Sequence, residues 1–340
     1  MADAAQERVR LKLTLINEAA FRELVSLLDG IEIVDMAMRD LSAGLVGAPQ
    51  RTVMPVSPVT RLGLMPGSMS GIGRFGLKVV SLSSVAGQFG LSSHQGLMLL
   101  FDDTTGQPLC AVDCHALTRL RTAAASAVAT RALARANSRS LAIIGCGDLA
   151  GIHIDAISVV RDIEHVWVWG RSKAKAEAFV ETRAKVSDQE VIVADTVEQA
   201  VAGADIICTL TGSPTPLLKG AWLKPGQHLN LVGSSIRAAR EADDEVVARG
   251  YFIADSPAQA LAQAGELCHA VEQGRVSEAH LKGDIGEVLA GAVAGRTSAD
   301  QITIYKSLGN IAKDISVANA ALTRATELAA ESDKVVTIDW

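Results

Sequence analysis

Apolar positions follow two different patterns along the chain, and the change comes near residue 125. Before it, apolar runs and helical stretches alternate irregularly, which is typical of an α+β region. The elements predicted there are a strand at Val9–Leu15, an amphipathic helix with Phe21, Leu24, Leu27 and Leu28 on one face, a helix over Ile31–Ala43, and strands at Val53–Val59, Gly76–Leu82 and Leu97–Phe101. The polar segment Asp102–Gly106 predicts a hairpin turn into a further run at Leu109–Val112.

An alanine-rich segment, Leu117–Ala136, contains no helix breaker and predicts one long helix. Short apolar runs separated by helix-compatible stretches follow, which is typical of a doubly wound parallel sheet. These runs are Leu141–Ile144, Val166–Trp169, Val191–Ala194, Ile206–Leu210, Leu229–Val232 and Phe252–Ala254. A helix over Ile311–Ala330 and a strand at Lys334–Trp340 end the chain. We therefore expect an α/β protein of two domains, a parallel domain over residues 126–314 and an α+β domain from residues 1–125 with about 315–340.

Composition and charge narrow the classes of partner. The 340 residues carry a formal net charge of −6 and no basic cluster, which argues against a nucleic-acid partner. No apolar stretch approaches the length of a membrane span, and the first residues lack the features of a signal peptide. The five cysteines are scattered, without zinc-like spacing. We expect a cytoplasmic protein with free thiols, no metal site and no membrane partner.

The clearest chemical motif has the form Gly-x-Gly-x-x-Ala and comprises Gly145, Cys146, Gly147, Asp148, Leu149 and Ala150. It follows an apolar strand and opens a predicted helix over Ala150–Val160, which is the context of a dinucleotide fingerprint. In such a loop the first glycine permits the tight turn, the second lets the backbone approach the pyrophosphate, and the alanine allows close helix–strand packing. We therefore expect a Rossmann domain that binds a dinucleotide. A glycine-rich turn without a ligand is the alternative.

The residues after the second strand of this domain bear on the choice of cofactor. In NAD-dependent enzymes an acidic residue there holds the ribose 2′-hydroxyl. Here the strand is followed by Gly170, Arg171, Ser172 and Lys173, without a carboxylate. The last three can bind a 2′-phosphate instead, so NADP(H) is favoured and NAD(H) stays possible. The alternative is that they are solvated residues that start the next helix.

Several short strings, spread in order over nearly the whole chain, carry a family resemblance. They are Pro49–Arg51, Gly76–Val80, Leu117–Ser126, Gly145–Gly147, Asn230–Gly233, and Ser307–Gly309 followed by Asp314. Together they resemble the ornithine cyclodeaminase/μ-crystallin family, and the Leu-Arg-Thr-Ala-Ala-Ala-Ser sequence is the most specific part. The resemblance implies that the α+β domain binds a substrate with an α-imino or α-amino carboxylate and mediates dimerisation, so a homodimer is expected.

The resemblance also implies roles for four residues, and the position of His94 one strand and loop after Lys78 makes it a fifth candidate. Arg51 and Arg121 match the substrate-carboxylate arginines, since a guanidinium can clamp a carboxylate through two hydrogen bonds. Lys78 matches the lysine near the reacting carbon, which can hold the carboxylate or supply a proton to the nitrogen. His94 is a candidate proton donor or contact for a second carboxylate, and Asp314 is expected to reach the nicotinamide or Lys78. A surface charge or a structural hydrogen bond is the alternative for each of them.

One departure from the family concerns Ser235, which stands where true ornithine cyclodeaminases carry an aspartate. A neutral hydroxyl cannot replace a carboxylate as a charge or as a base at neutral pH. We therefore expect an imine reductase, an oxidoreductase that uses NAD(P)H to reduce a small α-imino acid, either a cyclic ketimine or an open-chain imino acid. Ornithine cyclodeaminase, amino-acid dehydrogenase and an NADPH-dependent ligand-binding protein of the μ-crystallin kind are the alternatives. Further expected cofactor contacts are Thr209, Val232, Gly233 and Ser235 itself.

Overall fold

The computed structural model describes residues 12–328 and 336–339. Residues 9–11 of the predicted first strand, and residues 334, 335 and 340 of the predicted last one, lie outside this range. The chain divides into two compact units. The first unit takes in the chain up to Ser26, Leu45–Thr118 and the chain from Asp314 onward, and the second takes in Leu27–Gly44 and Arg119–Lys313. The helix expected over Ile31–Ala43 therefore belongs to the second unit.

A mixed eight-stranded sheet forms the first unit. Its strands are β1 (Lys12–Ile16), β2 (Val46–Gly47), β3 (Thr52–Ser57), β4 (Thr60–Met69), β5 (Arg74–Ser83), β6 (His94–Asp102), β7 (Pro108–Asp113) and β16 (Val336–Asp339). They follow the order β16-β1-β7-β6-β5-β4-β2, and β3 pairs with β4. Every pair is antiparallel except β1 with β7. Strand β4 was not predicted because Gly63, Pro66 and Gly67 interrupt its apolar pattern.

The chain breaks where one amphipathic helix was predicted, so that prediction is wrong. Helix α1 (Glu18–Leu24) begins after Asn17, whose side chain accepts a hydrogen bond from the N–H of Ala20. It ends at Val25, which is extended, and α2 (Leu27–Ser42) then starts as a separate helix. Phe21 and Leu24 are buried in α1, while the side chain of Leu28 is exposed at the start of α2.

Helix α11 (Ile311–Leu328) contacts β4 and β5 through its residues in the first unit. Ser316 Oγ donates to Met69 Sδ at 3.2 Å, and Arg74 Nε donates to Asn319 Oδ1 at 3.1 Å. The next residue of β5 on the same face as Arg74 is a buried glycine, Gly76, where a Cβ would lie 3.6 Å from Ile315. The helix therefore lies against the face of β5 that also carries Lys78.

The second unit contains an eight-stranded sheet in which every pair is parallel. Its strands are β8 (Ser140–Ile144), β9 (His165–Trp169), β10 (Glu190–Val193), β11 (Ile206–Thr209), β12 (His228–Leu231), β13 (Tyr251–Ala254), β14 (Leu281–Asp284) and β15 (Thr303–Lys306). The order is β10-β9-β8-β11-β12-β15-β13-β14. The predicted doubly wound sheet is therefore confirmed, with all six predicted runs as strands. Two further strands, β14 and β15, were not predicted.

Helices connect these strands. They are α3 (Cys114–Leu133), α4 (Ala150–Val160), α5 (Lys173–Ala184), α6 (Val197–Ala202), α7 (Asp244–Arg249), α8 (Pro257–Gln263), α9 (Gly265–Glu272) and α10 (Ile285–Ala290). Every residue of α3 from Arg121 to Thr130 is buried, and its many alanines allow neighbouring backbones to approach closely. Among the described residues, no helix is long and apolar enough to cross a membrane. Nor does that part of the chain bring His, Cys, Asp and Glu side chains together as a metal site.

Candidate functional site

A buried lysine with two fixed partners lies at the centre of the first unit. Lys78 on β5 is only 3% exposed, and its Nζ donates to Thr118 Oγ1 at 2.6 Å and to Asp314 Oδ1 at 2.9 Å. Asp314 lies in the first full turn of α11 and is fully buried. A charge taken out of water needs such partners. Because an ammonium carries three N–H groups, these two bonds leave one N–H for a ligand.

The strand register brings Arg51 near this lysine. Lys78 is opposite Met65 on β4 and Met98 on β6, so the three side chains share one face of the sheet. Thr52 on β3 is opposite Leu64, and extending this register by one residue places Arg51 beside Met65. Two strand spacings then separate Arg51 from Lys78, which is about 10 Å between backbones and within reach of two long side chains.

His94 lies farther from the lysine than its sequence position suggested. It is opposite Leu82, four residues beyond Lys78 on β5, which is about 13 Å along the strand. Its side chain is exposed, and its Nδ1 lies 2.9 Å from Ser93 Oγ. The register therefore brings Arg51 and Lys78 together and does not bring His94 to the same place.

In the second unit, Arg121 is 7% exposed and lies against a turn that only glycine can form comfortably. Gly309 has a φ of +81°, and a Cβ there would lie 3.3 Å from Arg121 Nη1. The N–H groups of Leu308 and Gly309 both donate to Asp255 Oδ2, at 2.9 and 2.7 Å. The buried carboxylate of Asp255 thus fixes the turn that approaches the guanidinium.

Asp255 itself is held in its charged form. Burial opposes ionisation, but the ammonium of Lys313, 2.9 Å away, and the hydroxyl of Tyr305 stabilise the carboxylate, so the pKa of Asp255 falls below its usual value. Burial and the neighbouring carboxylate raise the pKa of Tyr305 well above its ordinary value. The tyrosine therefore stays a hydrogen-bond donor, and the carboxylate of Asp255 stays ionised.

The loop Gly145–Ala150, which we call the nucleotide loop, has the geometry that a phosphate ligand requires. Gly145 has a φ of +115°, its N–H donates to Trp169 O at 2.8 Å, and a Cβ there would lie 2.8 Å from Leu210 O. A Cβ at Gly147, in contrast, would meet nothing within 4 Å, so this backbone faces open space. Helix α4 begins at the buried Ala150, and no side chain caps its first N–H groups. A free helix N-terminus beside an accessible glycine fits a pyrophosphate.

The three residues after β9 have different surroundings. Arg171 is exposed, and Ser172 caps α5 by accepting from Lys175 N at 3.4 Å. Lys173 Nζ donates to Asp195 Oδ1 at 2.7 Å, a bond that raises the pKa of the exposed lysine. The carboxylate that β9 lacks is therefore found nearby, after β10, where it pairs with Lys173.

Glu241, which the sequence analysis did not single out as a site residue, links the loops that follow β11 and β12. It is fully buried and accepts from Thr209 Oγ1 at 2.8 Å, from both Thr211 N and Oγ1, and from Gly233 N at 2.7 Å. Burial raises its pKa, although the ammonium of Lys306 and these donors act in the opposite direction. The Thr209 hydroxyl, expected to contact the cofactor, is thus bonded to a protein carboxylate.

The remaining expected cofactor contacts lie close to the same carboxylate in the chain. Val232 is buried and Ser235 is half-buried, both in the segment between β12 and Glu241. A second buried pair lies beside it, because Glu266 Oε1 accepts from the N–H of Glu241 and its Oε2 lies 2.8 Å from Lys306 Nζ. No pattern of local sequence indicates that these partners meet.

Comparison with known proteins settles the family. The model of the ornithine cyclodeaminase/mu-crystallin family matches residues 13–328. The chain belongs to this family. A relative with the name Δ1-pyrroline-2-carboxylate reductase, from Bacillus cereus, is 33% identical over 308 residues, which is 90% of this chain and 94% of the relative.

Two solved structures have the same fold as this chain over nearly its full length. The Thermococcus litoralis Δ1-pyrroline-2-carboxylate reductase, in complex with NADH and L-proline, superposes with a TM-score of 0.90 at 32% identity, covering 93% of this chain and 98% of the other. An archaeal alanine dehydrogenase dimer with bound NAD also gives 0.90, at 29% identity, covering 97% and 100%. The family resemblance drawn from short strings is therefore confirmed over nearly the full length.

Proposed function

We propose that this chain is an NAD(P)H-dependent reductase that converts a small α-imino acid into an amino acid. The observation that carries the proposal is the buried ammonium of Lys78, fixed by Thr118 and Asp314 with one N–H left to donate. A ligand with a carboxylate and a C=N bond offers acceptors for that donor. The Bacillus and Thermococcus relatives are pyrroline-2-carboxylate reductases, which supports this substrate class.

Reduction of C=N adds a hydride to carbon and a proton to nitrogen, and the protein residues serve the second part and the binding. The bound nicotinamide cofactor supplies the hydride. Lys78 donates its remaining N–H to the carboxylate or to the nitrogen, and Asp314 holds the lysine in its orientation. Arg51 and Arg121 hold the substrate carboxylate through their guanidinium groups. Because His94 lies about 13 Å along the sheet from Lys78, we assign it a contact with a remote part of a ligand.

The cofactor binds, in this proposal, at Gly145–Ala150 with its pyrophosphate on the uncapped start of α4. The Cβ-free backbone of Gly147, which faces open space, supports this placement. Cys146, Asp148 and Leu149 complete the loop, and Thr209, Val232, Gly233 and Ser235 stay proposed contacts, Thr209 through its backbone. NADP(H) is preferred over NAD(H) because Arg171, Ser172 and Lys173 follow β9, and Lys173 exchanges Asp195 for the 2′-phosphate.

The test is the oxidation of NADPH, measured by absorbance, with the purified protein and a panel of imino acids that includes pyrroline-2-carboxylate and piperideine-2-carboxylate. NADH in place of NADPH tests the cofactor preference. Turnover of one imine, with none of L-ornithine plus NAD, is the expected result. Ornithine turnover with proline formation would contradict the role given to Ser235. Tight NADPH binding without turnover of any imine would favour the ligand-binding alternative.

A second candidate, oxidative deamination of an amino acid, is favoured by the archaeal alanine dehydrogenase that shares this fold at 29% identity. The same residues serve both directions, because the reverse reaction takes a hydride from carbon and a proton from nitrogen. Reduction of NADP⁺ or NAD⁺ by L-alanine or L-proline at alkaline pH tests it. A rate above that of the imine reaction under matched conditions would make the dehydrogenase the better description.

We also propose that the protein is a homodimer, with the sheet of the first unit at the interface. All six residues of the outlying strand β3 are exposed, among them Val53, Met54 and Val56, and exposed apolar strands pair readily with another chain. The alanine dehydrogenase of the same fold is a dimer. Light scattering should give twice the chain mass, and Val56→Lys should lower it. A monomeric wild-type protein would contradict the proposal.

We also propose a location in the cytoplasm, which the free state of all five cysteines supports.

A further inference from the structure

An arginine on α3 contacts the nucleotide loop, although nothing in the family resemblance gave it a role. Arg119 Nε lies 3.3 Å from Asp148 Oδ1, and the two side chains are 23% and 52% exposed. Asp148 directly follows Gly147, the glycine whose missing Cβ leaves open space. Arg119 follows Thr118 and precedes Arg121 by two residues on the same helix. The pair therefore brings a cation from α3 to the loop proposed to bind the pyrophosphate.

The charge of Asp148 favours a cation beside the loop. A pyrophosphate brings two negative charges to the uncapped start of α4, and a carboxylate in the same loop repels them. An acidic side chain near a helix N-terminus also interacts with the same N–H groups and dipole that attract an anion. With Arg119 beside it, the net charge of the pair is zero, which weakens the repulsion.

The geometry of the contact allows Arg119 to bind a phosphate as well as to neutralise the charge of Asp148. Asp148 approaches the Nε side of the guanidinium, whereas four of the five N–H groups of an arginine are on Nη1 and Nη2. The carboxylate lies at ion-pair distance from Nε without a hydrogen bond to it, and the N–H groups on Nη1 and Nη2 can bind a phosphate. We propose that Arg119 is a phosphate-binding residue of the dinucleotide site, oriented for that purpose by Asp148. The inference rests on the proposed cofactor site.

The first experiment compares ligands that share different parts of the cofactor. Dissociation constants of the full-length protein for NADPH and NADH come from fluorescence titration, and those for ADP-ribose and 2′-AMP from competition. Arg119→Gln should weaken NADPH, NADH and ADP-ribose about tenfold, as expected for the loss of a charged hydrogen bond. It should leave 2′-AMP unchanged, because that ligand lacks the pyrophosphate. Unchanged affinity for ADP-ribose would overturn the inference.

A matched control tests whether any arginine–aspartate pair of this unit would give the same result. Arg183 on α5 pairs with Asp155 on α4 and is similarly shielded, with 14% exposure, but Asp155 lies outside the loop. Arg183→Gln should leave all four dissociation constants within twofold of the wild type. Thermal unfolding of both variants shows that they are folded. An equal loss of ADP-ribose affinity in both variants would show a structural effect and overturn the inference.

A double-mutant cycle separates direct contact from neutralisation. In the Asp148→Asn protein the repelling charge is gone, so a purely neutralising arginine becomes dispensable. We expect Arg119→Gln in that background to weaken ADP-ribose about tenfold again. Equal affinity of Asp148→Asn and the double variant would show that Arg119 does not contact the phosphates. A wild-type protein that binds no dinucleotide would instead refute the proposed function itself.

Discussion

Residues 313 and 314 are neighbours in α11, but each belongs to a different buried lysine–aspartate pair, one in each unit. In the second unit, the carboxylate of Asp255 accepts from Lys313, Tyr305 and the N–H groups of Leu308 and Gly309. In the first unit, the ammonium of Lys78 donates to Asp314 and Thr118 and retains one N–H.

The hydrogen-bond capacity that each pair retains separates a structural charge from a functional one. A buried carboxylate with four donors has its bonding capacity largely filled, and its work is to hold the Leu308–Gly309 turn in place. A buried ammonium with a donor to spare is held in one orientation and can still bind a ligand. Burial and pairing are alike in the two pairs, so the remaining hydrogen-bond capacity decides the interpretation.

Breaking the Asp255–Lys313 pair should have the largest effect on stability. Asp255→Asn keeps the volume of the side chain but leaves the Lys313 ammonium buried without its counter-charge, which costs about 3–5 kcal/mol. We expect the free energy of unfolding, measured by urea denaturation, to fall by that amount. Asp255→Glu keeps the charge and serves as the control, with a smaller loss. A loss below about 1 kcal/mol in Asp255→Asn would contradict the structural role.

Apolar replacement of both partners should affect the stability of the two pairs differently. Lys78→Met/Asp314→Leu should recover most of the stability that Lys78→Met alone loses, because no charge is left uncompensated. Asp255→Leu/Lys313→Met should remain destabilised, because the N–H groups of Leu308 and Gly309 lose their acceptor. Equal recovery in the two double variants would show that the pairs do not differ as described.

Activity should depend directly on the Lys78–Asp314 pair. Lys78→Met should lower kcat/KM for the imine roughly 10³-fold with little change in the dissociation constant of NADPH, because positioned acid and electrostatic groups contribute effects of this order. Lys282→Met, at an exposed lysine of β14, is the control. The folded double variant Lys78→Met/Asp314→Leu should be equally inactive. Recovery of activity with recovered stability would remove Lys78 from the reaction.

Lowering the pH should destabilise the second unit through two buried histidines, at a pH where the Asp255–Lys313 pair is still intact. Burial lowers the pKa of His153 to about 4 and that of His228 to about 3. Because the unfolded chain binds these protons near pH 6.5 and the folded chain does not, stability is complete above 6.5 and falls as the pH drops. Each histidine costs about 2 kcal/mol between pH 7 and pH 5. The Asp255 pair, whose carboxyl pKa is lowered, keeps its contribution over this range.

The measurement is urea denaturation of wild type and His153→Gln at pH 7 and pH 5. His153 Nδ1 donates to Leu149 O at 2.8 Å and its Nε2 lies 3.2 Å from Ser126 Oγ, contacts that a glutamine amide can replace in part. The variant should lose less stability on acidification than the wild type. His165→Gln, at an exposed histidine, is the control for a histidine-to-glutamine substitution. An unchanged pH dependence in His153→Gln would contradict the assignment.

The smallest effect is expected for the second acceptor of Lys78. Thr118→Val has nearly the same shape as threonine but removes the oxygen that accepts from Lys78 Nζ at 2.6 Å. We expect kcat/KM to fall about tenfold with kcat more affected than KM, as for the loss of one hydrogen bond to a charged group. Thr118→Ser, which keeps the hydroxyl, should stay within about twofold. Equal effects of the two substitutions would show that packing, not the hydroxyl, matters.

The sequence predicted most of the second unit because its strands are continuous apolar runs. The exceptions are β14, a four-residue strand that contains a lysine, a glycine and an aspartate, and β15, where Lys306 ends a short strand and gives it a polar character. Lys306 is fully buried against Glu266, 40 residues earlier in the chain, and only the folded sheet shows the pairing. In the first unit, the glycines and the proline of β4 concealed a ten-residue strand in the same way.

The residues of the candidate site could be predicted from the sequence, but the contacts between their side chains could not. Lys78, Arg51, Arg121 and Asp314 all came from the family strings. Thr118 lies inside the most specific string, yet its contact spans 40 residues, and the contact of Lys78 with Asp314 spans 236. Such distances depend on strand register and helix docking, which a local pattern does not encode.

The unbroken burial of α3 from Arg121 to Thr130 has a consequence for the time scale of motion. Amide protons in a segment with no exposed residue exchange with solvent only when a large part of the unit opens, so these should be among the slowest in the protein. Arg121 therefore sits on a backbone that is already rigid before any ligand arrives. Binding at this position has little disorder to remove, and the full strength of a carboxylate contact is available as affinity.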